Sequence, residues 1–152
     1  MLVKDIMNTN VRTVSENTSL MEVASLMCLY RLSGLPVLKD GDLVGFIAEK
    51  DVLAELFPSL EDAMQGMAMI DFRAKANEYR SLMKLSVGSL MTKSVRSLSP
   101  DMPILKAAVI MANNRFRRMP VSDGKKLVGI ISLGDIHKAI FHRSLTSEQH
   151  AA

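Results

Sequence analysis

The sequence has one cysteine, Cys28, and no tryptophan, and aromatic residues fill only 5% of its 152 positions. A single thiol cannot close an internal disulfide or build a cysteine metal cluster. Scarce aromatics argue against a stacking platform for nucleic-acid bases. No apolar run approaches the roughly 18–20 residues that a membrane span needs. The opening residues carry Lys4 and Asp5 and lack the apolar stretch of a secretory signal, which points to a cytosolic protein. Charge of one sign is also lacking: 19 Lys+Arg against 16 Asp+Glu leave a net +3. That excess accommodates a small anion but does not supply the basic face of a nucleic-acid binder. What the chain does have is 48% hydrophobic and 23% charged residues, which fits a folded globular protein. It also has 12 methionines, flexible side chains suited to core filling or to adaptable subunit contacts.

The chain repeats itself. A shift of 84 positions lays residues 3–56 on residues 87–140 without a gap. Met7 meets Met91, Arg31 meets Arg115, Pro36-Val37 meets Pro120-Val121, Leu43-Val44-Gly45 meets Leu127-Val128-Gly129, and Asp51 meets Asp135.

Both copies read alike. A short strand (11–14 and 95–98) precedes a turn. An amphipathic helix follows, 19–31 in the first copy, with Leu20, Val23, Ala24 and Met27 at i, i+3, i+4 and i+7. Its mate carries Ile104, Ala107, Ala108 and Met111. Two strands come next, 35–38 and 43–48, joined through Asp40-Gly41; Asp123-Gly124 serves the second copy. A second helix opens near Glu49 and near Leu133. The unit is β-α-β-β-α. A copy of roughly 54 residues buries too little surface to be stable alone. The expectation is therefore an α/β (α+β) fold with two repeats related by a pseudo-twofold and their sheets packed together.

These readings divide the chain into repeat 1 (1–57), a helical connector (58–86), repeat 2 (87–143) and a polar, frayed tail (144–152). In the connector, Ser59-Leu60-Glu61-Asp62 looks like a helix start. Met64, Met67, Ile70/Asp71 and Ala74 form a helical stripe, continued by Phe72, Ala76, Tyr79 and Met83. The stripe reads as a packing connector or as a methionine-built dimer surface.

The segments Tyr30-Arg31-Leu32-Ser33-Gly34-Leu35-Pro36-Val37, Leu43-Val44-Gly45-Phe46-Ile47 and Asp51-Val52-Leu53 resemble a CBS motif, the repeat named after cystathionine β-synthase. Residues 115–121 and 127–136 resemble a second. The pair is similar to a Bateman module, over about 110 residues. The resemblance implies a regulatory module that binds adenosine compounds (AMP, ADP, ATP, S-adenosylmethionine) in clefts between its repeats. It also implies a homodimer and a regulated partner that this chain does not name.

The family's ribose signature, Gly, two apolar residues, Thr or Ser, two residues, Asp, is complete in Gly129-Ile130-Ile131-Ser132-Leu133-Gly134-Asp135. An ionised Asp135 can accept from both ribose hydroxyls, and Ser132 sits where a hydroxyl can face sugar or phosphate. The alternative is that Ser132 and Asp135 merely cap a helix. Arg117-Arg118 stands where relatives carry a basic pair for phosphates, a task suited to bidentate, always-charged guanidiniums. The resemblance further puts Met7, Arg12, Leu32 and Ser33 in the same cavity as Arg118, Ile130, Ser132 and Asp135. The second cleft keeps Asp51, but Ala48 replaces the hydroxyl and Gly34 the arginine; Arg96 and Arg117 could contribute there. That site is expected to be weaker, or to prefer a ligand with less phosphate.

No catalytic residue, resident cofactor or metal site is expected. His137, His142 and His150 lack metal-ligand spacing, and no Gly-x-Ser-x-Gly, phosphate-loop or dinucleotide fingerprint is present. Cys28 reads as a packing residue beside Met27. The leading reading is a sensor of adenosine nucleotides. The rivals are a dimerisation module with empty clefts and a binder of S-adenosylmethionine.

Overall fold

The computed structural model of the protein describes residues 1–56 and 72–151. The expected helix start at Ser59 and the stripe positions Met64, Met67, Ile70 and Asp71 lie outside them. The elements are α1 (Val3–Ile6), α2 (Leu20–Tyr30), β1 (Gly34–Lys39), β2 (Asp42–Ala48), α3 (Glu49–Leu56), α4 (Phe72–Leu82), α5 (Val87–Leu90), α6 (Ile104–Asn113), β3 (Arg118–Asp123), β4 (Lys126–Ser132) and α7 (Leu133–Ala151). No helix among the described residues is long and apolar enough to cross a membrane.

Local chemistry sets the element ends. Ser19 caps α2, its hydroxyl accepting the Glu22 N–H at 3.2 Å. The helix ends where Arg31 turns left-handed (φ 52°) and the Leu32 N–H reaches back to the Met27 carbonyl. Arg115 repeats this (φ 57°), with Phe116 reaching Met111. Between β1 and β2, Asp40 and Gly41 both take positive φ, as a type I′ hairpin turn requires. Between β3 and β4 only the first central residue, Gly124, does so.

The chain forms two compact units, and they do not follow the sequence repeats. The C-terminal unit comprises Met1–Val11, Gly41–Leu43 and Arg96–Ala152; the N-terminal unit comprises Arg12–Asp40 and Val44–Val95. Each repeat's leading arm has joined the body of the other repeat. In the C-terminal unit Leu2 bridges Pro103 and Asn8 bridges Ile130. In the N-terminal unit the positions 84 residues away do the same in reverse, Ser86 with Ser19 and Thr92 with Phe46.

Each arm is anchored by a fully buried valine. Val3 lies in a core with Ala107, Met111, Val121 and Ile131, and Val87 lies in one with Leu20, Val23, Val37 and Ile47. Burying such a side chain contributes about 1.5–3 kcal/mol. The stripes on α2 and α6 behave as their spacing predicts: Leu20, Val23 and Met27, and Ile104, Ala107 and Met111, are all buried.

Three expectations need correction. The strands at 11–14 and 95–98 are each a single parallel bridge, Val14 with Val37 and Leu98 with Val121. Val14 bonds the Pro36 carbonyl and the Leu38 N–H, and Leu98 bonds Pro120 and Ser122. A further rung would need an N–H that proline does not have. The tail from Ser144 is not frayed but continues α7. Ser144, Thr146 and Ser147 hydroxyls donate to carbonyls four residues back, so these polar side chains serve the helix. Cys28 is exposed rather than packed. It lines a cavity of about 290 Å³ with Leu20, Val52, Tyr79 and Met83, between α2, α3 and α4.

Candidate functional site

The Gly-x-x-Ser-x-x-Asp segment runs along β4 into the first turn of α7. Gly129 is a packing necessity. A Cβ there would sit 2.7 Å from the Met7 sulfur and 3.0 Å from the Asn8 carbonyl oxygen. The arm can lie on β4 only because that side chain is missing, and Asn8 then exchanges both backbone hydrogen bonds with Ile130 (2.8 and 2.9 Å). This places Met7 beside the signature segment.

Ser132 and Asp135 cap α7 reciprocally. The Ser132 N–H donates to Asp135 Oδ2 and the Asp135 N–H donates to Ser132 Oγ, both at 3.0 Å. The capping alternative is thus realised, and it leaves room for a second role. It pins the carboxylate in one orientation and leaves Oδ1 with no partner among the described residues. Asp135 and Ser132 are half-buried, reachable from solvent.

Arg118 pairs directly with Ser132 across the antiparallel β3–β4 ladder. Cβ atoms so paired lie about 5 Å apart on one face. The Arg117 carbonyl accepts the Leu133 N–H at 2.9 Å, so the basic pair is tied to the start of α7. Both arginines are exposed, and neither guanidinium has an ion-pair or hydrogen-bond partner among the described residues.

In the C-terminal unit Arg118, Ile130 and Ser132 share one face of the β3–β4 ladder, with Asp135 at its end and Arg117 tied by its carbonyl to Leu133, while Met7 packs on the core face beside Gly129. Arg12, Leu32, Ser33 and Asp51 belong to the N-terminal unit. There, the Arg12 guanidinium lies 3.3 Å from the centre of the Tyr30 ring, a cation–π contact. Its counterpart Arg96, in the C-terminal unit, donates to Asn114 Oδ1 at 2.7 Å. Leu32 packs on the core of its unit. The Ser33 carbonyl accepts the Glu49 N–H at 3.0 Å, the counterpart of Arg117 with Leu133. Asp51 Oδ2 accepts the Ala48 N–H at 2.8 Å, half of the cap seen in the other unit.

Three further residues gain a defined place from the structure. Asn8 holds Ile130 through its backbone, Phe46 fills the space over Gly34, and Glu49 opens α3 beside Ser33. The signal for Asn8 was its fixed distance from Met7 in the repeat; no sequence signal marked the placement of the Phe46 ring. Among the described residues no group of three His, Cys, Asp or Glu could hold a metal ion.

The family model for the CBS domain matches this chain twice, over residues 3–58 and 87–142. The chain belongs to the CBS domain family. An uncharacterized protein of Methanocaldococcus jannaschii is 34% identical over 92% of this chain and 91% of its own length. Among solved CBS structures, CBSX2 of Arabidopsis thaliana in complex with AMP aligns with a TM-score of 0.72 at 28% identity, over 94% of this chain and 98% of that one. The CBS domain pair of protein MJ0100, in complex with 5-methylthioadenosine and S-adenosyl-L-methionine, aligns with a TM-score of 0.66 at 26% identity, over 94% and 98%.

Proposed function

We propose that this CBS pair is a regulatory module whose C-terminal unit binds an adenosine nucleotide of the AMP, ADP or ATP class, and that it acts by binding and not by catalysis. One observation carries the reading: two exposed arginines without side-chain partners among the described residues flank the capped start of α7, Arg118 opposite Ser132 and Arg117 bonded through its carbonyl to the Leu133 N–H. Oδ1 of Asp135 is the acceptor for the ribose hydroxyls. Arg118 and Arg117 meet the phosphate through charge-assisted hydrogen bonds. Ile130, on the same face as Arg118 and Ser132, supplies apolar surface for the base. The AMP complex of CBSX2 supports the choice of ligand. S-adenosylmethionine, whose sulfonium is cationic, suits this corner less well than a phosphate does.

Bound nucleotide regulates by stabilising one arrangement of the chain over another, which a cytosolic partner protein reads. A homodimer is the assembly we favour, through exposed apolar residues spaced four apart on adjoining helices of the C-terminal unit. These are Leu105 and Val109 on α6 and Phe141 and Leu145 on α7.

Calorimetric titration tests the ligand reading. Arg118→Ala weakens AMP about tenfold and leaves adenosine nearly unchanged, because only the phosphate contact is removed. Equal loss for both ligands, or none for either, would contradict it.

A further inference from the structure

We propose that the cavity between α2, α3 and α4 of the N-terminal unit is a separate ligand site, for a small apolar amine whose ammonium meets the Glu49 carboxylate. It uses none of the residues assigned to the nucleotide, so it stands independently of that reading. The floor of the cavity is the core of the unit. Leu20, Val23, Val52 and Met83 line it, and each is at most 8% exposed. An apolar group seated on them is removed from water. The mouth is different. Glu49, Cys28 and Tyr79 also line the cavity and are open to solvent. None of these three side chains has a hydrogen-bond or ion-pair partner among the described residues. The third wall is held in place, because the Lys75 ammonium on α4 donates to the Leu56 carbonyl at the end of α3 (2.7 Å).

This lining selects a chemistry. The Glu49 carboxylate is the only formal charge among the lining residues. An ammonium beside it makes a charge-assisted hydrogen bond, and the Tyr79 ring offers it an aromatic face. A carboxylate or phosphate head is repelled. The volume of about 290 Å³ is the liquid share of about ten waters, which suits a phenyl ring with a short alkyl arm and is too small for a nucleotide. The repeat shows that the fold does not need these polar groups. The C-terminal unit has Leu133 where this one has Glu49, and Ala112 where it has Cys28. Leu133 packs on the core of its unit. The α4 wall belongs to the connector, which the repeat does not duplicate.

Cys28 is the only thiol in the chain, so its alkylation by iodoacetamide reports occupancy of the cavity. In the full chain, saturating phenethylamine is expected to slow that alkylation at least about fivefold and to raise the melting temperature. Hydrocinnamate, of similar shape with a carboxylate for the amine, is expected to do neither. Glu49→Gln should weaken phenethylamine about tenfold and leave the melting temperature of the free protein unchanged. Arg118→Ala should bind phenethylamine as wild type does. Equal protection by the amine and the acid, no protection by the amine, or a folded Glu49→Gln protein that binds it undiminished would overturn the proposal. Calorimetry with AMP on the same samples separates the two sites. AMP binding that persists through any of those results leaves the nucleotide reading intact. Absent AMP binding with Glu49-dependent amine binding would fault the nucleotide reading alone.

Discussion

The C-terminal and N-terminal units share a backbone plan and differ in what surrounds the carboxylate. Each has an arm seated on a glycine, a buried valine anchor, a left-handed arginine at or just past the end of a helix and a capping aspartate. Duplication preserved what holds the fold together. It did not preserve the serine hydroxyl, the arginine pair or the aliphatic residue above them. The positions that match between units hold the backbone plan, and those that do not match are where the proposed nucleotide site of the C-terminal unit differs from its counterpart.

The comparison breaks most severely at the glycines. Gly129→Ala is expected to destabilise the protein by about 1–3 kcal/mol, because the new methyl meets the Met7 side chain and the fixed Asn8 carbonyl. Gly45→Ala meets the Met91 sulfur at 2.6 Å and the Thr92 carbonyl at 3.1 Å, and should cost a similar amount. Denaturant unfolding of both variants checks the equivalence. A cost confined to one would show that only one arm is tightly seated.

How far the sequence revealed all this depends on the kind of information each feature uses. The α2 and α6 stripes were legible because a helix buries every third or fourth residue whatever it packs on. The hairpins were legible because Asp-Gly serves a tight turn locally. The exchange of arms was not, because residues 3–7 and 87–91 carry nearly the same pattern and either could seat on either glycine. The short strands were over-read. Val11 to Val14 has the right residue types, but the missing N–H of Pro36 lies on the partner strand and not in the segment itself. Within the site, Ser132 and Asp135 are legible through the family's ribose signature, which the repeat anchors at Asp51 and Asp135. Arg118 facing Ser132 depended on a ladder register, and the Phe46 ring over Gly34 on side-chain placement, neither of which spacing reveals.

Smaller effects sharpen the symmetry. Arg31→Gly and Arg115→Gly should each stabilise by about 0.5–1 kcal/mol, since glycine relieves the left-handed backbone but gives back part of the gain as unfolded-state entropy. Thermal melts of both would read this. A loss of stability in either would mean that its guanidinium is engaged. The smallest effect concerns the Lys4–Asp101 pair, 2.9 Å apart and exposed, which exists only in the C-terminal unit. The hydrogen bond and charge of Asp101 raise the Lys4 pKa above its ordinary value of 10.5. Because the folded value is the higher one, the pair's contribution is complete below that value and fades as pH rises through the folded pKa. Lys4→Met should leave the melting temperature at pH 7 almost unchanged. A large drop would show that the arm depends on this pair.

The central claim is that Asp135 both caps α7 and grips a ribose, and Asp135→Asn separates the two roles. Asparagine keeps an acceptor for the Ser132 N–H, so circular dichroism and melting should match wild type. AMP affinity measured by calorimetry should fall at least about tenfold, because the charged acceptor for the sugar hydroxyls is gone. A folded Asp135→Asn protein that binds AMP as tightly as wild type would contradict the account.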